Sequence, residues 1–320
     1  MAELPGALIV AGPTASGKSA LALDLAEQLG GVVINADSMQ VYSELRILTA
    51  RPSPEDEARV PHRLYGVRPA AAAGSAAWWR AAALAEMAEA RAAGLLPILC
   101  GGTGLYFSAI TDGLAEIPDC GEDARAEARR ILAEDGPIAL HGALAKVDQA
   151  SAARLRPSDS QRVARAWEVW RGTGRGLAAW QAAGGAVPAP WRFSAILLDP
   201  PREELRAAIA TRFSAMLAAG ALEEARALLA LGLDPALPAM RAHGVPELAA
   251  YLRLDISLAE ASRRAELVTG QYTKRQATWF RHRQLAAPER AHTIHARTAG
   301  LAQFSERNRA ALLNFTQAAG

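Results

Sequence analysis

The sequence predicts an α/β fold, a parallel sheet flanked by helices, with an all-helical insertion domain inside it. Three observations carry this expectation. Short apolar or β-branched runs alternate with helix-forming segments, the pattern of strands joined by helical crossovers. The first run leads directly into a glycine-rich octapeptide followed by a helix former. Between about 117 and 190 the strand signals stop and only helical patterns remain.

Taken in order, the runs 7–11, 32–36, 95–100 and 194–198 read as strands, short and bounded by breakers. Segment 20–29 reads as the first helix. Segment 76–93 reads as another, entered after Gly74-Ser75 and ended by Gly94. The insertion, 117–190, is bounded by Pro118 and by the loop 184–190. Beyond Asp199 the chain returns to helices at 202–219, 222–231, 247–252 and 258–283. The expected domains are therefore a core of 1–116 and 191–290, the insertion at 117–190, and a loosely attached tail at 291–320. Alanine-rich stretches are helix formers here, not disorder.

Composition narrows the function classes. The chain has 320 residues and 51% hydrophobic content, enough to bury a full core. It has no charge-free apolar stretch of about 18 residues, so no spanning helix is expected. Glu3 lies just ahead of the first strand, so no signal peptide is expected. Cys100 and Cys120 are too few for a disulfide framework or a zinc site. A cytoplasmic protein without a membrane partner is the expectation. Net charge is only +2, but it is unevenly spread. Arg154, Arg156, Arg162, Arg165, Arg171 and Arg175 face only Asp159 and Glu168 in 151–175, and Lys274, Arg275, Arg281 and Arg283 face no acid in 271–283. Two basic islands on an otherwise acidic chain suggest a polyanion longer than a nucleotide. For either island alone, a solvated helix face is an equal reading.

The octapeptide Gly12-Pro13-Thr14-Ala15-Ser16-Gly17-Lys18-Ser19 fits G-x-x-x-x-G-K-[ST] between a strand and a helix, which predicts a P-loop NTPase-like core. Backbone amides of such a loop, together with the helix dipole, favour negative charge at one place. Lys18 adds a point charge, and the Ser19 hydroxyl suits Mg²⁺ bridging phosphate oxygens. A diphosphate or triphosphate is the expected ligand. Asp37, in Asp37-Ser38-Met39-Gln40, follows the second strand. It suits Mg²⁺ coordination or proton acceptance, and helix capping is the competing reading. Gly101-Gly102-Thr103-Gly104 follows the third strand, where glycines admit close backbone approach and Thr103 offers a hydroxyl or an N-cap.

In this order, GPTASGKS, DSMQVY, GGTGLY, QRVARAWEV and QYTKRQATWFR resemble the tRNA dimethylallyltransferases, also called tRNA isopentenyltransferases, over roughly residues 7–285. The resemblance implies transfer of a dimethylallyl group from its diphosphate to N6 of the adenosine just 3′ of the anticodon. The loop 12–19 then holds the donor diphosphate, with Mg²⁺ at Ser19. Asp37 is implied as general base or orienting acceptor for the N6 amine, Thr103 as a group near the reacting atoms, and Arg212 as a diphosphate contact. An ion pair of Arg212 with Glu223 or Glu224 is the alternative. The partner implied is the anticodon stem-loop, touched by Asp37, Ser38, Met39, Gln40, Thr103, Arg125, Gln161, Arg162, Val163, Ala164, Arg165, Arg241, Lys274 and Arg281. A monomer is expected. Val163, Trp167 and Trp170 share a helical stripe that reads as core, with Arg162 and Arg165 beside it. Lys274, Thr278 and Arg281 share another face.

Two positions depart from the family pattern: Val245 stands where a Tyr is typical, and Arg63 where a second His is common. The chain also lacks the cysteines of the zinc finger in larger relatives. Two other readings compete. An adenylate isopentenyltransferase acting on AMP, ADP or ATP has no need of the insertion and the basic helix. A P-loop ATPase module needs a strand-end carboxylate, for which Asp199, before Pro200-Pro201, is a poor match.

Overall fold

The computed structural model describes residues 4–317. They form two compact units, one of residues up to 111 and from 189 onward, the other of residues 112–188. In the first unit six strands make one sheet: β1 (Gly6–Ala11), β2 (Gly31–Asn35), β3 (His62–Arg63), β4 (Leu96–Gly101), β5 (Arg192–Leu198) and β6 (Ala291–Ile294), in the order β3-β2-β4-β1-β5-β6. Every pairing is parallel.

Strand β1 shows why these residues form this sheet. All six of its residues are buried, because helices cover both faces of a parallel sheet. Side chains alternate across the pleat. Ala7, Ile9 and Ala11 join Ile34 and Leu99 against Trp79, Ala83 and Met87 of helix Ala76–Ala92. Leu8 and Val10 join Val33, Ile98 and Ile196 against Leu21 and Leu25 of helix Lys18–Leu29. A third apolar cluster packs Val41, Leu45 and Leu48 against Phe213, Leu228, Val245 and Leu248. These come from helices Arg202–Ala218, Ala221–Ala230 and Val245–Leu252. Among the described residues no single helix is long and apolar enough to cross a membrane.

The unit 112–188 is helical, with Gly121–Glu134, Gly136–Val147 and Ser160–Thr173 as its longer helices. Ala128, Leu140, Leu144, Val163, Ala166 and Trp167 fill its centre. Cys120, Ala124 and Val169 form a smaller cluster beside it.

The expected loose tail from 291 is a correction. Residues 291–294 are strand β6, paired with β5, and Leu301 and Leu312 are buried against the helix Lys18–Leu29 side of the sheet. Three of the four β6 residues are exposed, so no apolar run announces the strand. What holds it is backbone pairing, for which side-chain composition carries no sign.

Candidate active site

The register of the sheet brings three loops together. Ala11 lies opposite Gly101 and Asn35 opposite Cys100, so β1, β2 and β4 end side by side. The loops after them hold the octapeptide, Asp37 and Thr103, at the carboxyl edge of the sheet, where ligands of open α/β folds collect. Glycines allow the approach. A Cβ on Gly101 would lie 2.0 Å from the Ala36 carbonyl oxygen, and one on Gly104 would lie 2.4 Å from the Trp279 ring.

The phosphate loop turns through Ala15 and Gly17, both in the left-handed region, at φ 66° and 94°. Its own polar groups are partly committed. The Thr14 amide donates to Gln276 Oε1 (2.8 Å) and the Ser16 amide to the Pro13 carbonyl (3.2 Å). The amides of the first helical turn at Lys18 have no intrahelical acceptor and form the anion-facing part. Gln276 also donates through Nε2 to the Gly102 carbonyl at 2.8 Å. One buried side chain from helix Leu258–Arg281 therefore ties the loop after β1 to the loop after β4.

Asp37 is set from below by Asn35, which is fully buried. The Asp37 amide donates to Asn35 Oδ1 (2.8 Å), while Asn35 Nδ2 donates to the Asp37 and Leu64 carbonyls, each at 3.0 Å. Asp37 Oδ1 accepts the Met39 amide at 3.0 Å, so the carboxylate does cap a local turn. It lines the cleft all the same, and the capping and chemical readings are compatible. Thr103 Oγ1 accepts the Ser38 amide at 2.9 Å and links the two loops. Gln40 Nε2 donates to the Thr49 and Ala50 carbonyls, both at 2.9 Å.

The cleft these loops open into spans about 780 Å³ of free space, the solvent at its mouth included. Thr14, Lys18, Ser19, Asp37 and Arg212 make its polar end; Met39, Leu48, Ile209, Phe213 and Met216 make an apolar wall. Lys18 is buried, and that burial pulls its pKa down, with Asp37 opposing and Arg212 reinforcing the shift. Burial lowers the pKa of half-buried Arg212 as well, again opposed by Asp37. Two cations removed from water around one carboxylate leave positive charge unbalanced, which is the electrostatic condition of an anion site. The ion pair proposed as the alternative for Arg212 does not form. Glu224 accepts the amides of Arg46, Ile47 and Leu48 at 2.7–2.8 Å, and Glu223 faces Arg226 at 3.8 Å.

Comparison with known proteins decides the affiliation. The family model described as IPP transferase matches residues 40–283. The chain belongs to the IPP transferase family. It is similar to the tRNA dimethylallyltransferase of Granulibacter bethesdensis, at 64% identity over 98% of each chain. The tRNA dimethylallyltransferase of Gluconacetobacter diazotrophicus is 62% identical over 96% of this chain and 93% of its own. Among solved structures, the full-length tRNA isopentenylpyrophosphate transferase of Bacillus halodurans matches with TM-score 0.68 and 30% identity, covering 98% of this chain and 96% of that one.

The residues expected at RNA are placed less uniformly in this IPP transferase. Gln161, Arg162 and Arg165 are exposed on helix Ser160–Thr173 and Ala164 is half-buried. Val163 is fully buried in the helical unit's core and offers RNA no side chain, a correction to its expected contact. Arg162 faces Asp159 at 3.5 Å and Arg165 faces Glu168 at 3.3 Å. Arg125 is paired with Asp119 and, at 3.7 Å, with Glu122. Arg241 is exposed at the end of a short 3-10 turn. Lys274, Thr278 and Arg281 do line one groove, along with Arg202, Arg206 and Arg263. Arg281, however, is held in a two-pronged contact with Asp199, at 2.8–3.1 Å. Val245, expected above to depart from the family pattern, is buried in the third apolar cluster.

Sequence reasoning missed Asn35, His243, Tyr272 and Gln276. His243 and Tyr272 line the cleft with ring centroids 4.9 Å apart. Burial lowers the pKa of His243 and pushes that of Tyr272 up to about 12, so near neutrality both stay uncharged. Tyr272 and Gln276 both lie within the quoted segment QYTKRQATWFR, which was the available signal.

Proposed function

We propose that this chain transfers a dimethylallyl group from dimethylallyl diphosphate to N6 of the adenosine 3′-adjacent to the anticodon of tRNA, releasing diphosphate. The observation that carries this reading is one cleft lined both by two cations beside a carboxylate, Lys18 and Arg212 with Asp37, and by an apolar wall. A diphosphate ester of a short branched hydrocarbon needs that combination; an ATP-hydrolysing module has no use for the wall formed by Leu48, Ile209, Phe213 and Met216.

Binding places the donor diphosphate on the first-turn amides, Lys18 and Arg212. The target adenosine is stacked in its loop and must be extruded to reach the cleft. The N6 lone pair attacks C1 of the donor, the C1–O bond breaks, and the electron pair leaves with diphosphate. Asp37 accepts the N6 proton, and Thr103 and Asn35 hold the loop that carries it. Lys18 and Arg212 stabilise the charge that grows on the departing oxygen. Mg²⁺ would be held at this end of the cleft by the Ser19 hydroxyl, a hard oxygen donor, and would neutralise phosphate charge there. Among the described residues no group of three or more His, Cys, Asp or Glu could hold a metal, so such an ion would need further ligands from outside the chain.

Radiolabelled dimethylallyl diphosphate, incubated with unmodified tRNA, AMP or no acceptor, tests the assignment. Label is expected on tRNA alone. Label on AMP makes the chain an adenylate isopentenyltransferase, and phosphate release from ATP without label transfer makes it an ATPase.

A further inference from the structure

The segment after β6 packs against the phosphate loop, on the Ala15 and Ser16 carbonyls. Thr298 donates its amide to the Ser16 carbonyl at 3.1 Å, and Arg297 Nε donates to the Ala15 carbonyl at 2.8 Å. Packing there is so close that a Cβ on Gly17 would fall 1.7 Å from the Thr298 carbonyl oxygen. The segment is anchored beyond the loop as well. The Leu301 amide donates to Asp24 on the helix after the loop (2.7 Å), and Gln303 Nε2 donates to the Arg297 carbonyl (3.2 Å). In a trans peptide the carbonyl and the following amide point opposite ways. Holding the Ser16 carbonyl outward thus turns the Gly17 amide inward, toward the anion.

Arg297 does more than hold the loop. It lines an open surface recess together with Arg212, Thr211, Glu204 and Gln303. Arg212 lines both this recess and the reaction cleft, and so stands between them. The two guanidinium groups are near enough that Arg297 helps lower the pKa of Arg212. Glu204 is the acid in the recess, and it accepts the Arg297 amide at 3.2 Å.

We infer that Arg297 is a positioning residue for the diphosphate. It fixes the phosphate loop through the Ala15 carbonyl and adds a third cation to Lys18 and Arg212, from the recess that Arg212 also lines. This rests on the assignment of the cleft to a diphosphate ester. An alkyl diphosphate and the free product share the chemistry that Arg297 recognises, so the free anion serves as probe.

Calorimetric titration of inorganic diphosphate into the full chain tests the inference, with Arg297→Ala and Arg297→Lys compared to the parent and each variant's melting temperature recorded. Arg297→Ala is expected to weaken diphosphate binding about tenfold, the loss of one charge-assisted contact. Arg297→Lys restores part of it by returning the charge without the fork. Affinity for tRNA stays unchanged in both. Parental diphosphate affinity in both variants overturns the inference and leaves the segment a mere cover. Absence of diphosphate binding in the parent overturns the cleft assignment itself. Equal loss in both variants with lowered melting temperatures reduces Arg297 to a structural role and also counts against it.

Discussion

The cleft at the sheet edge and the helical unit 112–188 use polar residues in opposite ways. In the cleft, Asn35, Lys18 and Gln276 are buried, and Asn35 and Gln276 reach backbone groups far along the chain, at Leu64, Thr14 and Gly102. In the helical unit, Arg125, Arg129, Arg130, Arg162 and Arg165 are solvent-facing and find their acids within seven residues. The first arrangement fixes dipoles before a ligand arrives, which chemistry requires. The second stabilises little, since exposed pairs contribute about 0–1 kcal/mol, and it can be exchanged for phosphate contacts at small cost. One region is built to react and the other to adapt.

Asp37→Ala gives the strongest test of that division. Turnover is expected to fall by about a hundredfold or more, while tRNA affinity stays within about tenfold, because one proton acceptor is removed and little contact area. Single-turnover prenyl transfer and a binding titration measure the two effects separately, and an active variant would remove Asp37 from the reaction. Next in size is the double change Arg162→Ala and Arg165→Ala. It should weaken tRNA binding and reduce the slope of log affinity against log salt by about 1 to 2. An unchanged slope would place these side chains away from RNA. The smallest effect is expected at Asp119, whose carboxyl is held below its ordinary value of 3.8 by the Gly121 amide and by Arg125. A depressed folded-state pKa stabilises above that ordinary value, and the contribution is lost as pH falls through the lower one. Asp119→Asn should therefore lower the melting temperature slightly near neutrality, and the difference should close as the pH drops below 3.8. A constant difference at all pH values would assign the effect to packing.

Four of the six strands were legible, because β1, β2, β4 and β5 are buried apolar runs next to breakers. β3 has only two residues and β6 is largely exposed, so neither leaves an apolar pattern. The phosphate loop was legible for a different reason, since its spacing is local. Asn35 and Gln276 were not, because their roles are defined by partners 29 and 262 residues away in the chain. Val163 shows the converse. A motif that resembles an RNA-contacting segment contains a residue whose helical phase turns it inward, and phase is the better guide to where its side chain goes.

The sheet's outermost strand and the strap behind the phosphate loop both come from the stretch 291–303, whereas the loop itself lies at 12–19. During synthesis, at about 5–20 residues per second, the loop therefore waits many seconds for its backing. A ribosome-bound or truncated product ending before Arg297 carries the full octapeptide yet lacks the contacts that orient it. On the proposed assignment, competence to grip a diphosphate is in this way deferred until the segment at 297–303 has been made.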